Sequence, residues 1–146
     1  MEGGDIVSYK ALDVAKYIVT KCYMENCPVT NLQIQKILYY IQKDFLKKGT
    51  VAFDDEIEAW QFGPVVPEVY YFFCGNGSMR ILSVYFNHLD ASFTNKIDGI
   101  IVEKRVLRPW DLVADTHEPG KAWSRIYNGG IGDHRVIPKE LIRMCG

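Results

Sequence analysis

Most of the features that would announce a particular chemistry are missing from this 146-residue sequence. No apolar run exceeds residues 69–74, far short of the ~20 residues that a membrane-spanning helix needs. The first five residues are acidic where an export signal would be basic, and residue 2 is Glu, which breaks the myristoylation pattern. A cytoplasmic location away from membranes is therefore expected. Neither sign of charge is in excess: 17 Lys and Arg stand against 18 Asp and Glu, a net charge of -1, so nucleic acid is not an expected partner. The cysteines Cys22, Cys27, Cys74 and Cys145 form no Cys-x-x-Cys pair, and no second Cys or His pair lies at zinc-ligand spacing from Cys22 and Cys27. They read as reduced, small apolar residues, with one exposed thiol near the C-terminus. No Gly-x-Ser-x-Gly elbow, Walker loop or His-Glu-x-x-His motif occurs, and neither does a repeat, a low-complexity tract or a linker.

What remains is a folding sequence. Apolar residues make up 48% and charged residues 24%, which suits a chain that buries a core. The length fits one domain over 1–146. Leu12, Ala15, Ile18, Val19 and Cys22 share a face at three-and-four spacing, which predicts a helix over 9–24 ending before Pro28. Thr30 and Gln33 have capping-box spacing, and Ile34, Ile37, Leu38, Ile41 and Phe45 form the stripe of a second helix, over 31–48. Residues 56–62 alternate as a short strand that Gly63-Pro64 ends. Pro67 suits the first position of a third helix burying Val69, Phe72 and Phe73. Residues 81–86 fit a strand or a helix. Asp90 or Ser92 caps a helix whose face carries Phe93, Ile97, Ile100 and Ile101. Short helices follow over 108–117, 123–127 and from Pro138 to Met144, with a flexible loop at 128–133. The expected fold is mainly α within the α+β class, a compact single-domain helical bundle with a small two- to three-stranded β element.

Candidate chemistry is thin. Asp111, Asp115, His117 and Glu118 form the one dense polar cluster, and its favoured reading is a helix end where His117 meets the dipole and bonds a carbonyl. Cys74 follows Phe72-Phe73, an apolar setting that favours a core thiol over a nucleophile. Gly129-Gly130-Ile131-Gly132 follows no clear strand and opens no helix, so it is a weak phosphate loop. Lys104, Arg105 and Arg108 make a small basic group, and every Arg lies from Arg80 onward. No catalytic, metal or cofactor site is expected. The surplus is aromatic: three Trp, nine Tyr and seven Phe. Such residues anchor interfaces as readily as they fill cores. Trp60, Phe62 and Tyr70 are the first interface candidates, with the core as the alternative. In the pairs Tyr39-Tyr40 and Tyr70-Tyr71, one ring can face inward while the other faces out.

Two blocks carry a family resemblance. Residues 11–18 followed by Asn31-Leu32-Gln33-Ile34-Gln35-Lys36-Ile37-Leu38-Tyr39-Tyr40 form the first. The second is Ile57-Glu58-Ala59-Trp60-Gln61-Phe62-Gly63-Pro64-Val65-Val66-Pro67-Glu68-Val69-Tyr70. With Thr116-His117-Glu118, Trp123 and Ile137-Pro138, the chain resembles the Panacea domain, the SocA-like antitoxins found also in phages. Residues 75–110 follow the pattern poorly, and Gly120-Lys121-Ala122-Trp123 departs from it. The resemblance implies a proteinaceous antitoxin that binds a cognate toxin, in one relative by handing it to an ATP-dependent protease. A phage-encoded inhibitor of a host defence protein is the alternative within the same binding class. On this reading Trp60, Phe62, Tyr70, His117 and Trp123 are the partner-binding candidates. Gln35, Lys36, Leu38, Tyr39, Gly63, Pro64, Pro67 and Thr116 are motif residues with a structural role.

Overall fold

A computed structural model describes residues 9–146; the acidic start at residues 1–5 lies outside the described residues. The elements are α1 (Ala11–Met24), α2 (Asn31–Lys47), β1 (Ile57–Trp60), β2 (Gly63–Val65), α3 (Pro67–Phe73), α4 (Ala91–Lys104), α5 (Pro109–Thr116), α6 (Ala122–Tyr127), β3 (Arg135–Ile137) and α7 (Lys139–Cys145). The protein is a compact α+β domain, as its composition and periodicity predict.

α2 is the hub, and its N-terminus is set by the capping box. The Thr30 hydroxyl accepts from the Gln33 N–H (3.2 Å), and the Gln33 side chain accepts from the Thr30 N–H (2.9 Å). From there the helix packs on α1, α3, α4, α5, α7 and β2. Being surrounded, it buries Ile34, Ile37, Leu38 and Ile41 and also the polar Asn31, Gln33, Gln35, Lys36 and Gln42. Buried polar groups are tolerated only when bonded. Gln42 meets that condition by accepting from the Ala52 N–H and donating to the Phe53 carbonyl, both at 2.8 Å.

The sheet is antiparallel with order β2-β1-β3. Gly63-Pro64 does not end the strand region. It turns the chain back, pairing Trp60 with Gly63 and Glu58 with Val65. Pro64 is tolerated because β2 is an edge strand, where a missing N–H costs no ladder bond. β3 has no counterpart in the sequence reading. It pairs Ile57 with Ile137 and Ala59 with Arg135, three residues too short for periodicity to reveal.

Other expectations need correction. Residues 80–90 are neither strand nor helix. Over 81–86 buried or half-buried positions alternate with exposed ones as in a strand, but no ladder forms; instead the Tyr85 N–H donates to the Thr20 hydroxyl (2.8 Å) and Ile81 N–H to the Val29 carbonyl (2.9 Å). Cys74 is exposed rather than a core thiol, because α3 gives way to a 3-10 turn at that residue and turns it outward. Phe72 is exposed, while Val69 and Phe73 are buried. The loop at 128–133 is a chain of hydrogen-bonded turns in which Asn128, Gly129 and Gly130 take positive φ, and it leads into β3.

Candidate functional site

The site begins with three side chains of α2 and the chain between β1 and α3. The Gln35 side chain accepts from the Val66 N–H (2.9 Å) and donates to Asn31 (3.0 Å), whose own amide donates to the Tyr70 carbonyl (3.1 Å). At the next position along α2, the wholly buried Lys36 amine donates to the Phe62 carbonyl. Burial pushes this amine down to about 7. Gly63 has φ 124, and a Cβ there would sit 1.7 Å from Lys36 Nζ, so the glycine is what lets the lysine reach the turn. Thr116 is buried beside it and returns its hydroxyl to the carbonyls of Leu112 and Val113. Leu38 and Tyr39 lie in the core.

A second layer rests on this frame. His117 caps α5 and stacks on Trp123 (3.7 Å between centroids, 12° between planes), which stacks in turn on Tyr127 (4.6 Å). The Trp123 indole N–H donates to the Trp60 carbonyl (2.8 Å). Burial and then the nearby Lys36 charge lower the His117 pKa, with the Phe62 carbonyl opposing them; His117 Nε2 is buried without a hydrogen-bond partner.

Outside these layers the surface opens into a groove of about 620 Å³, lined by Trp60, Phe62, Val65, Tyr70, Trp110 and Leu32 among others. Phe62 is 57% exposed and Trp110 72%. The Trp60 ring stacks on His134 (4.3 Å) and meets Tyr70 edge-on (5.0 Å), while its N–H donates to Glu58 (2.9 Å). Asp133 is the one carboxylate in the lining. His134 holds φ 67, uncommon outside glycine, and its N–H donates to the Ala59 carbonyl (2.7 Å).

The structure therefore brings Trp60, Phe62 and Tyr70 together on one concave surface. It places Trp123 in the core and His117 half-buried against it, neither lining the groove. Gln35 belongs to the polar frame and also lines the groove. Pro64 and Pro67 sit in the edge strand and at the start of α3. Trp110, Asp133 and His134 were missed. The Pro-Trp start of α5 was the available signal for Trp110; nothing in the local pattern marks the turn that brings Asp133 and His134 here. The basic group divides: Lys104 lies over the Tyr40 ring (4.2 Å), whereas Arg105 and Arg108 face elsewhere. Among the described residues no three His, Cys, Asp or Glu stand close enough to hold a metal ion, and no helix is long and apolar enough to cross a membrane.

A profile of the family "Antitoxin SocA-like, Panacea domain" matches residues 34–124, a stretch that contains Gln35 and Lys36 of α2, the hairpin and the His117–Trp123 stack. The chain belongs to this antitoxin family. It is also 31% identical over 139 residues to "Antitoxin SocA" of Caulobacter vibrioides (strain NA1000 / CB15N), covering 86% of this chain and 74% of that protein. No solved structure matches the chain. Within this Panacea-domain protein, the motif residues Gln35, Lys36 and Gly63 are the ones that fix the hairpin beneath the groove.

Proposed function

We propose that this chain, a single Panacea-like domain acting in the cytoplasm, neutralises a cognate protein toxin by binding it directly through the Trp60–Trp110 groove. The observation that carries this reading is the groove itself. Large aromatic side chains stand exposed on a backbone held from beneath by buried hydrogen bonds. Aromatic residues bury much area for little lost side-chain freedom, so they dominate the energy of an interface. An interface of about 1,200–2,000 Å² centred there covers a toxin's working surface, and no bond-making by the antitoxin is needed.

The test is co-expression with the toxin encoded beside it. Phe62→Asp and Trp110→Asp change exposed side chains, so the fold persists by circular dichroism while protection and toxin capture are lost. Met144→Asp, exposed on α7 outside the groove lining, protects normally. Full protection by both folded groove variants overturns the assignment. The toxin's half-life separates occlusion, where it is unchanged, from delivery to an ATP-dependent protease, where it shortens.

A further inference from the structure

The basic group noted in the sequence is not absorbed by the groove. Arg105 and Arg108 instead meet Arg80, from the chain after α3, around a second cavity of about 590 Å³. Its lining adds Asn26, Thr30 and Ser78 and contains no carboxylate. Two separate stretches of chain, one ending at Arg80 and the other the turn over 105–108, thus bring three guanidinium groups to one hollow. The mouth is fixed by Gln33, whose amide donates to the carbonyls of Arg105 and Leu107 (3.3 Å each) and ties the turn between α4 and α5 to the start of α2.

The charges there are only partly compensated. Arg105 pairs with Glu25 (2.7 Å) and Arg108 reaches Asp111 (3.4 Å), both carboxylates lying outside the cavity lining. Arg80 has neither an ion pair nor a hydrogen bond among the described residues, and Arg105 Nε is buried without a hydrogen-bond partner. A guanidinium presents paired N–H groups in the spacing of two phosphate oxygens, and a dianion with three acceptor oxygens matches three such forks better than a carboxylate does. The cavity is larger than a bare oxyanion requires and lies within the range of small-ligand sites, about 300–1,000 Å³.

We propose that the Arg80–Arg105–Arg108 cavity binds the phosphate group of a small phosphorylated molecule. This site adjoins the aromatic groove, sharing Thr30 and Ser78 with it, but its three arginines lie outside the groove lining.

Isothermal titration of the full chain at constant ionic strength, with inorganic phosphate and with AMP as probes, tests it. Binding is expected with Kd of about 1 mM or tighter. Arg80→Ala weakens it by roughly tenfold or more while leaving the melting temperature unchanged, since Arg80 is exposed and makes no bond among the described residues. Arg108→Ala weakens it likewise, and Arg80→Lys, which keeps the charge but loses the fork, falls between. Tighter binding of AMP shows that an organic moiety fills the remaining volume; equal affinities identify free phosphate as the occupant. The proposal is overturned if neither probe binds at millimolar concentration, or if both alanine variants bind as the parent does.

Discussion

Gly63→Ala probes the contact on which the site is built. The residue holds φ 124, where an L side chain is strained by about 1–3 kcal/mol. The new methyl would also lie 1.7 Å from Lys36 Nζ, 3.0 Å from Cε and 3.4 Å from the Thr116 hydroxyl. The tip of a lysine ordinarily swings aside at little cost. Lys36 is wholly buried, however, and its amine is already spent on the Phe62 carbonyl. Displacing it leaves a buried donor and acceptor unpaired, a further ~1–3 kcal/mol. The sum is about 2–6 kcal/mol, a large share of the ~5–15 kcal/mol by which domains are stable. Urea titration reads this as a lower midpoint. The contact is isolated by repeating the change in a Lys36→Ala background, where the clashing atoms are gone. There Gly63→Ala costs only its backbone strain, and a coupling of roughly 1–3 kcal/mol appears in the cycle. Equal costs in the two backgrounds, or a cost below about 1 kcal/mol in the parent, would refute the reasoning.

Two further expectations concern stability. Burial holds the Lys36 amine at about 7 against its ordinary 10.5, so the unfolded chain carries the extra proton between those values and stability rises with pH from 7 to about 9, by at most ~1.4 kcal/mol per unit. Lys36→Met flattens that rise in urea titrations across pH, and above it the slope reverses because the raised pKa values of Cys22, Tyr39 and Tyr40 let the unfolded chain lose those protons first. Thr30→Ala removes one half of the α2 capping box and lowers stability by ~1 kcal/mol, seen as a reduced urea midpoint with an unchanged slope.

What the sequence discloses follows the range of the forces involved. α1 and α2 were legible because each carries an apolar stripe longer than three turns, and α2 adds a cap whose two partners are three residues apart. The start of α3 was legible from Pro67 for the same local reason. β3 and the path of residues 80–90 were not, because what holds them is distant. His134 bonds to Ala59 and Tyr85 to Thr20, partners that no window of neighbouring residues contains. The same division applies to the site. Trp60, Phe62 and Tyr70 lie within eleven residues of one another on a hairpin and the helix after it, so their convergence is nearly local. Trp110 and His134 reach the groove only through the packing of α5 and the pairing of β3. The cavity arginines show the complementary case: Arg105 and Arg108 stand out as neighbours, while Arg80 becomes their companion only in three dimensions.

The buried polar layer has a cost that a purely structural helix would avoid. Replacing Gln35 and Lys36 by apolar residues would spare α2 the desolvation of an amide and an amine, and well-packed apolar substitutes for buried polar pairs are often no less stable. What apolar residues cannot do is fix backbone groups one by one. Gln35 holds the Val66 N–H, Asn31 the Tyr70 carbonyl and Lys36 the Phe62 carbonyl, and these three points bracket the segment from which Phe62, Val65 and Tyr70 enter the groove. A surface fixed in this way loses little freedom when a partner arrives, so more of the contact energy remains as affinity. Gln35→Leu should accordingly weaken toxin binding more than its effect on the urea midpoint would suggest, with the loss appearing as a less favourable binding entropy. If affinity instead falls only in proportion to the fraction of unfolded protein, the hydrogen bonds serve the fold alone and the groove owes its shape to packing.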